Sequence, residues 1–86
     1  MILEWDERKR ASNLKKHGLD FADVRFLDWD NAKYREDTRK EYPEPRYWAF
    51  AERAGELHMV VFCLREEAIR IISFRKASAN ERKAYG

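Results

Sequence analysis

Three apolar segments separated by very short polar breaks constrain this chain more than any other feature. "RYWAFAER" (46–53), "LHMVVFCLR" (57–65) and "AIRIISFRK" (68–76) are rich in aromatic and β-branched residues, the composition that fits a pleated, half-buried surface. Ala54-Gly55 and Glu66-Glu67 mark the breaks. Breaks this short leave no room for a crossover helix, so successive segments are expected to pair antiparallel as a meander. The uninterrupted apolar run in "VVFCL" predicts that the middle segment is a central strand.

The flanks read differently. "MILEW" (1–5) is expected to form a short first strand. Asp6 has the place and chemistry of a helix N-cap, and Glu7 follows in the first turn, where the helix dipole favours negative charge. "ERKRASNLKKHG" then predicts a polar helix, with Lys15, Lys16 and His17 in its last turn and Gly18 at its stop. Asp20 can cap a second, shorter helix, "FADVRFLD", whose Phe21, Val24 and Leu27 share one face. A short strand is expected near 32–35 and a proline-containing loop from Asp37 to Pro45. "ASANERKAYG" predicts a short C-terminal helix capped by Ser78 or Asn80. The order β-α-α-β-β-β-β-α gives the α+β class. We expect a small single domain over residues 1–86, mostly antiparallel sheet, with the helices packed on one face.

Composition narrows the function. Charged residues make up 40% of the 86, yet the net charge is only +2. A basic site must therefore be local, since the chain as a whole is not a strong polycation. Cys63 is the only cysteine and lies within "VVFCL". That context predicts a buried apolar residue, and the lack of a disulfide framework fits a reducing compartment. No apolar run approaches the roughly 18 residues that span a membrane, and "MILEWDERKR" has no signal-peptide core. A cytoplasmic protein is expected. With two histidines in different elements and no Cys-x-x-Cys or His-x-x-x-His spacing, no metal site or other cofactor is expected.

What remains is a set of cations at strand ends: Arg46, Arg65, Arg70, Arg75 and Lys76. Arginine presents a planar, permanently charged fork that suits phosphate, so the group suggests an anion site. Each one singly also fits a solvated strand end paired to Glu66, Glu67 or Glu81. Arg70 and Arg75 are five residues apart, so they point to opposite faces of a regular strand and share a groove only if it is bulged. His17 is the candidate acid or base, because imidazole titrates near neutrality; capping the helix is its other reading. The position at a helix C-terminus favours its protonated form. His58 reads as a packed edge residue. The tryptophans read as core, and Tyr85 is a candidate base or ribose contact.

Two segments carry a resemblance to a known family. "WDERKRASNLKKHGLDFADV" supplies Trp5, Asp6, Lys9, Asn13, Lys16, His17 and Gly18. "RIISFRKA" with the following Glu81, Arg82 and Tyr85 supplies the second signature. Together, in this order, they resemble the BrnT family of bacterial toxins. The resemblance implies a RelE-like fold and a type II toxin that cleaves RNA without a metal and arrests translation and growth. It also implies a partner antitoxin of the BrnA type, with operator DNA contacted only through that partner.

On that reading the ribose 2′-OH attacks the adjacent phosphate. The protein must assist loss of the 2′ proton, stabilise charge on the phosphoryl oxygens and protonate the 5′ leaving oxygen. The candidates are His17 as acid or base, Arg65 and Arg75 for charge, and Lys16, Lys76 and Tyr85 as RNA contacts. The alternative is a non-catalytic RNA-binding or protein-interaction module built from the same residues.

Overall fold

The three apolar segments form the centre of a five-stranded sheet. In the computed structural model, which covers residues 1–86, β3 (Arg46–Arg53), β4 (Glu56–Leu64) and β5 (Ile69–Lys76) make the expected antiparallel meander. The strand β2 (Lys33–Asp37) adds antiparallel to β3, and β1 (Leu3–Trp5) adds parallel to β5, giving the order β1-β5-β4-β3-β2. The sheet is therefore mixed. Its first two strands lie at opposite edges, so the chain between them must cross a face.

That crossing builds the main core. Helix α1 (Glu7–His17) starts at Asp6, whose carboxylate accepts from the Arg8 and Lys9 amides, and stops at Gly18, which sits at φ 71° as a left-handed C-cap. Asp20 caps the next segment by accepting from the Ala22 amide, but Phe21–Phe26 is a 3-10 helix and not the expected α-helix. The spacing explains it. Phe21, Val24 and Leu27 recur every three residues, which aligns them on a helix of three residues per turn. All three are buried against Ala49, Ala51, Val60, Phe62, Ile71 and Phe74 of the sheet. A second 3-10 turn, Trp29–Asn31, then leads into β2.

The short C-terminal helix α2 (Ala79–Tyr85) covers the opposite face. Ser78 caps it through a reciprocal capping box with Glu81. Its Tyr85 stacks on Phe50 at 4.3 Å and packs edge-on to Trp48, over a second cluster of Phe50, Leu57, Met59 and Ala77. The helices thus lie on both faces, contrary to the one-face expectation. The reason is visible in β3: successive residues Ala49, Phe50 and Ala51 are all buried, so both faces of that strand need cover.

Helix α1 is anchored to the sheet through one polar side chain. β1 reaches only as far as Ile71, which leaves the outer edge of β5 without a strand beyond that point. Asn13 takes the place of one. Its Nδ2 donates to the Phe74 carbonyl at 2.8 Å, and the Phe74 amide donates to its Oδ1 at 3.1 Å. Nδ2 also donates to Leu19 O at 3.2 Å. A carboxamide offers a donor and an acceptor side by side, as a backbone peptide does, so α1 docks in register beside β5.

The β3–β4 turn is strained. Ala54 at φ 52° and Gly55 at φ 78° both take positive φ, the geometry of a two-residue hairpin turn that asparagine or glycine adopts best in first position. Ala54→Asn is expected to raise stability by about 0.5–1 kcal/mol, a part of the penalty for an alanine in this region. A denaturant titration with no gain at the midpoint would contradict it.

Candidate functional site

Only one end of the α2-bearing face is covered by that helix. The rest is an open groove, and the sheet geometry decides what lines it. On β5, Val61 pairs with Ser73 but Phe62 pairs with Ile71, so Ile72 is an extra residue in a bulge. Ile71 and Phe74 consequently both enter the main core, at 1% and 0% exposure. The bulge also brings Arg70, Ser73 and Arg75 to the groove face together, opposite Cys63, Val61 and Met59. This is the exception that a regular strand forbids.

One wall of the groove is α1. Arg8, Lys9, Ser12, Lys16 and His17 line a cavity of about 370 Å³ with Ile72 and Ser73 at its floor. The helix presents them because their spacing keeps them on one side, adjacent to Asn13, which fixes the helix rotation. An adjoining cavity, also about 370 Å³, shares Lys9 and Ile72 and extends past Arg70 to Arg46 and Arg65. Its far wall is the segment Tyr42–Glu44. That segment hangs on Asp37, a buried residue whose carboxylate accepts from the Arg39 guanidinium and from the Tyr42 hydroxyl. Arg39 holds the Asp37 carboxyl far below the usual carboxylate range.

The cations fall into two groups. Arg8, Lys9, Lys16 and Arg46 make no ion pair, and the Arg46 guanidinium lies 4.3 Å from the centre of the Tyr42 ring. The others are held. Arg65 meets Glu44 at 2.9 Å and Glu4 at 3.5 Å, and Arg70 meets the same Glu4 at 3.5 Å. Arg75 makes a two-pronged pair with Glu81 at 2.7 and 2.9 Å. Glu81 simultaneously accepts from the Ser78 amide at 2.8 Å, so the start of α2 sets the position of the Arg75 guanidinium.

His17 stands beside this pair with an altered basicity. Partial burial, then Lys16, then Arg75 push its pKa below 6.5. The helix C-terminus alone favours the cation, but desolvation and two neighbouring positive charges outweigh it. The imidazole is therefore neutral at neutral pH and ready to accept a proton.

Other candidates lie elsewhere. Lys76 reaches Glu56 at 2.9 Å and, pairing with His58, belongs to the main-core face, away from the groove. Tyr85 is half-buried in the Trp48–Phe50 cluster, with the Arg35 guanidinium 5.8 Å from its ring centre. His58 is buried against Phe74, with Nδ1 2.9 Å from the Glu56 carbonyl oxygen. Cys63 is buried, and burial pushes its thiol pKa up. Trp5 and Trp29 pack against the main core. No group of three or more His, Cys, Asp or Glu side chains is arranged to hold a metal ion, and no helix is long and apolar enough to cross a membrane.

A small α+β domain with a cation-lined groove fits many nucleic-acid proteins. The whole-chain comparison decides among them. The family model described as "Ribonuclease toxin, BrnT, of type II toxin-antitoxin system" matches residues 5–81. The chain belongs to this family. No curated protein matches it significantly. As a BrnT ribonuclease toxin it acts on RNA and has an antitoxin partner. The match takes in the whole groove, from α1 through Glu81.

Sequence reasoning had Arg46 and Arg70 in the cation set but overlooked Lys9 as part of the site. The signal for Lys9 was present: Lys9 and Lys16 are seven residues apart, two helical turns on the same side. Nothing in the local sequence announced the bulge at Ile72.

The Arg75–Glu81 pair carries a pH dependence. Hydrogen bonding to Arg75, then the Ser78 amide, lowers the Glu81 pKa from 4.5 to about 2. A carboxyl with a depressed folded-state pKa contributes stability that is complete above its unfolded value and lost as pH falls through the folded one. The melting temperature is thus expected to fall between pH 4.5 and 2. Glu81→Gln should flatten that part of the curve, and an identical slope in the variant would refute the assignment.

Proposed function

We propose that the groove is the RNA site and that cleavage proceeds without a metal, by attack of the ribose 2′-OH on the adjacent phosphorus. The observation that carries this is that His17 and the unpaired Lys16 line one open cavity, beside an Arg75 that Glu81 fixes at two points. His17 takes the 2′ proton as the O2′–P bond forms. Charge gathering on the phosphoryl oxygens meets the Arg75 guanidinium, with Lys16 as a further phosphate contact. The P–O5′ bond breaks, and Lys9 and Lys16 are the cavity's remaining proton donors for the leaving oxygen. The products are a 2′,3′-cyclic phosphate and a 5′-hydroxyl. Arg65, at the other end of the groove, meets the RNA away from His17.

The protein then acts in the cytoplasm as an inhibitor of translation, and an antitoxin of the BrnA type neutralises it by covering the groove. Such an interface should bury at least about 1,000 Å². Operator DNA is reached through the antitoxin.

Antitoxin-free protein incubated with RNA in EDTA tests the chemistry. Cleavage should persist, with cyclic phosphate ends, and a 2′-deoxy substitution at the cut site should block it. Activity lost on chelation and restored by added metal would overturn the proposal.

A further inference from the structure

The half of the groove remote from His17 carries a charge imbalance of its own. Arg46, Arg65 and Arg70 stand around its cavity of about 370 Å³, and Lys9, at the boundary, is shared with the His17 cavity and makes a fourth cation. The only carboxylates that reach them are Glu4, from β1, and Glu44, from the loop wall. Two carboxylates do not neutralise four cations. Glu44 is half-buried and meets Arg65 at 2.9 Å, so a carboxylate already occupies the place a phosphate oxygen would take. Arg46, stacked on Tyr42 at 4.3 Å, makes no ion pair.

We infer that this cavity is a second phosphate subsite, which binds the backbone of single-stranded RNA beyond the cleaved bond and is gated by Glu44. The inference rests on the groove being the RNA site. Arg70 and Arg75 lie five residues apart on one face, about 16 Å along a regular strand and somewhat less with the bulge. That separation exceeds one nucleotide step, so the two ends of the groove hold different phosphates of one chain. An incoming phosphate displaces the Glu44 carboxylate from Arg65 and takes over Arg46, Arg65 and Arg70. Neighbouring bases then find the Tyr42 ring. A substrate must therefore extend past the scissile step to be held well.

The test uses full-length, antitoxin-free protein and single-stranded oligoribonucleotides of two and ten residues, with a 2′-deoxy ten-mer for binding. Arg46→Gln and Arg70→Gln should each raise the Kd for the ten-mer by about tenfold and lower the salt slope by about one. The KM for cleavage of the ten-mer should rise with kcat within twofold, and cleavage of the dinucleotide should not change. Glu44→Gln should tighten ten-mer binding, an effect opposite to anything misfolding produces. Wild-type protein that cleaves RNA while all three variants bind like it would overturn the subsite and leave the ribonuclease site standing. Equal losses on the two-residue and ten-residue substrates would also overturn it, as would variants that weaken antitoxin binding alone. Wild-type protein that neither binds nor cleaves any oligonucleotide would sink the reading of the groove itself.

Discussion

Replacing Arg75 with alanine is expected to lower RNA cleavage by about 10²-fold or more, the scale seen when one transition-state donor is removed. Arg75→Lys should restore only part, because the ammonium keeps the charge but loses the planar fork that Glu81 holds at two points. His17→Gln should remove the acid limb of the pH–rate profile. In the wild type that limb follows from the sign of the shift: the base is active when neutral, its pKa lies below 6.5, and activity falls as pH drops through that value. Single-turnover cleavage from pH 5 to 8, on variants with wild-type circular dichroism, is the measurement. Folded Arg75→Ala that cleaves at the wild-type rate would exclude Arg75 from the chemistry.

Asn13 is expected to give the largest loss of stability. Alanine there would leave the Phe74 amide and carbonyl buried without partners, at about 1–3 kcal/mol for each unsatisfied group, so about 2–6 kcal/mol in all is expected. Asn13→Asp should be no better, since it keeps the acceptor for the Phe74 amide but turns a carboxylate toward the Phe74 carbonyl. Because the same side chain sets α1 against β5, these variants should also lose activity by displacing Lys16 and His17 from the groove. Urea unfolding read by Trp fluorescence would decide, and a loss under about 1 kcal/mol would show that α1 is held by other contacts. The nearest is the Arg10–Asp20 ion pair at 2.7 Å, which ties α1 to the 3-10 segment and is more exposed to solvent than Asn13.

The two residues differ in how they could be read from the chain. Arg75 stood out as a cation closing an apolar strand, and its partner Glu81 was among the acids named for it. Asn13 appeared only as one letter of a family signature. A polar residue on a polar helix carries no sign that it will be buried against the edge of a strand sixty-one residues away. Lys76 shows the converse. It looked like a companion to Arg75, yet adjacent residues on a strand face opposite ways, and it pairs with Glu56 on the other side. Tyr85 read as a base or ribose contact, but Phe50 and Trp48 required cover and its ring supplies it.

Local chemistry determined the elements. Alternation, short turns and caps at Asp6, Asp20 and Ser78 are interactions between residues a few positions apart, so they are written in the order of the chain. The antiparallel meander followed from the same source, because connections of two and four residues leave no room for a crossover. Tertiary structure alone decided which cations meet. The parallel seat of β1 beside β5, the bulge at Ile72 and the docking of Asn13 each join distant segments and answer to the packing of the whole core. Burying Ile71 and Phe74 on one face forces the extra residue into β5. That single shift in register turns Arg70 toward the face that carries Arg75, and makes one groove of what a regular strand would have kept on two sides.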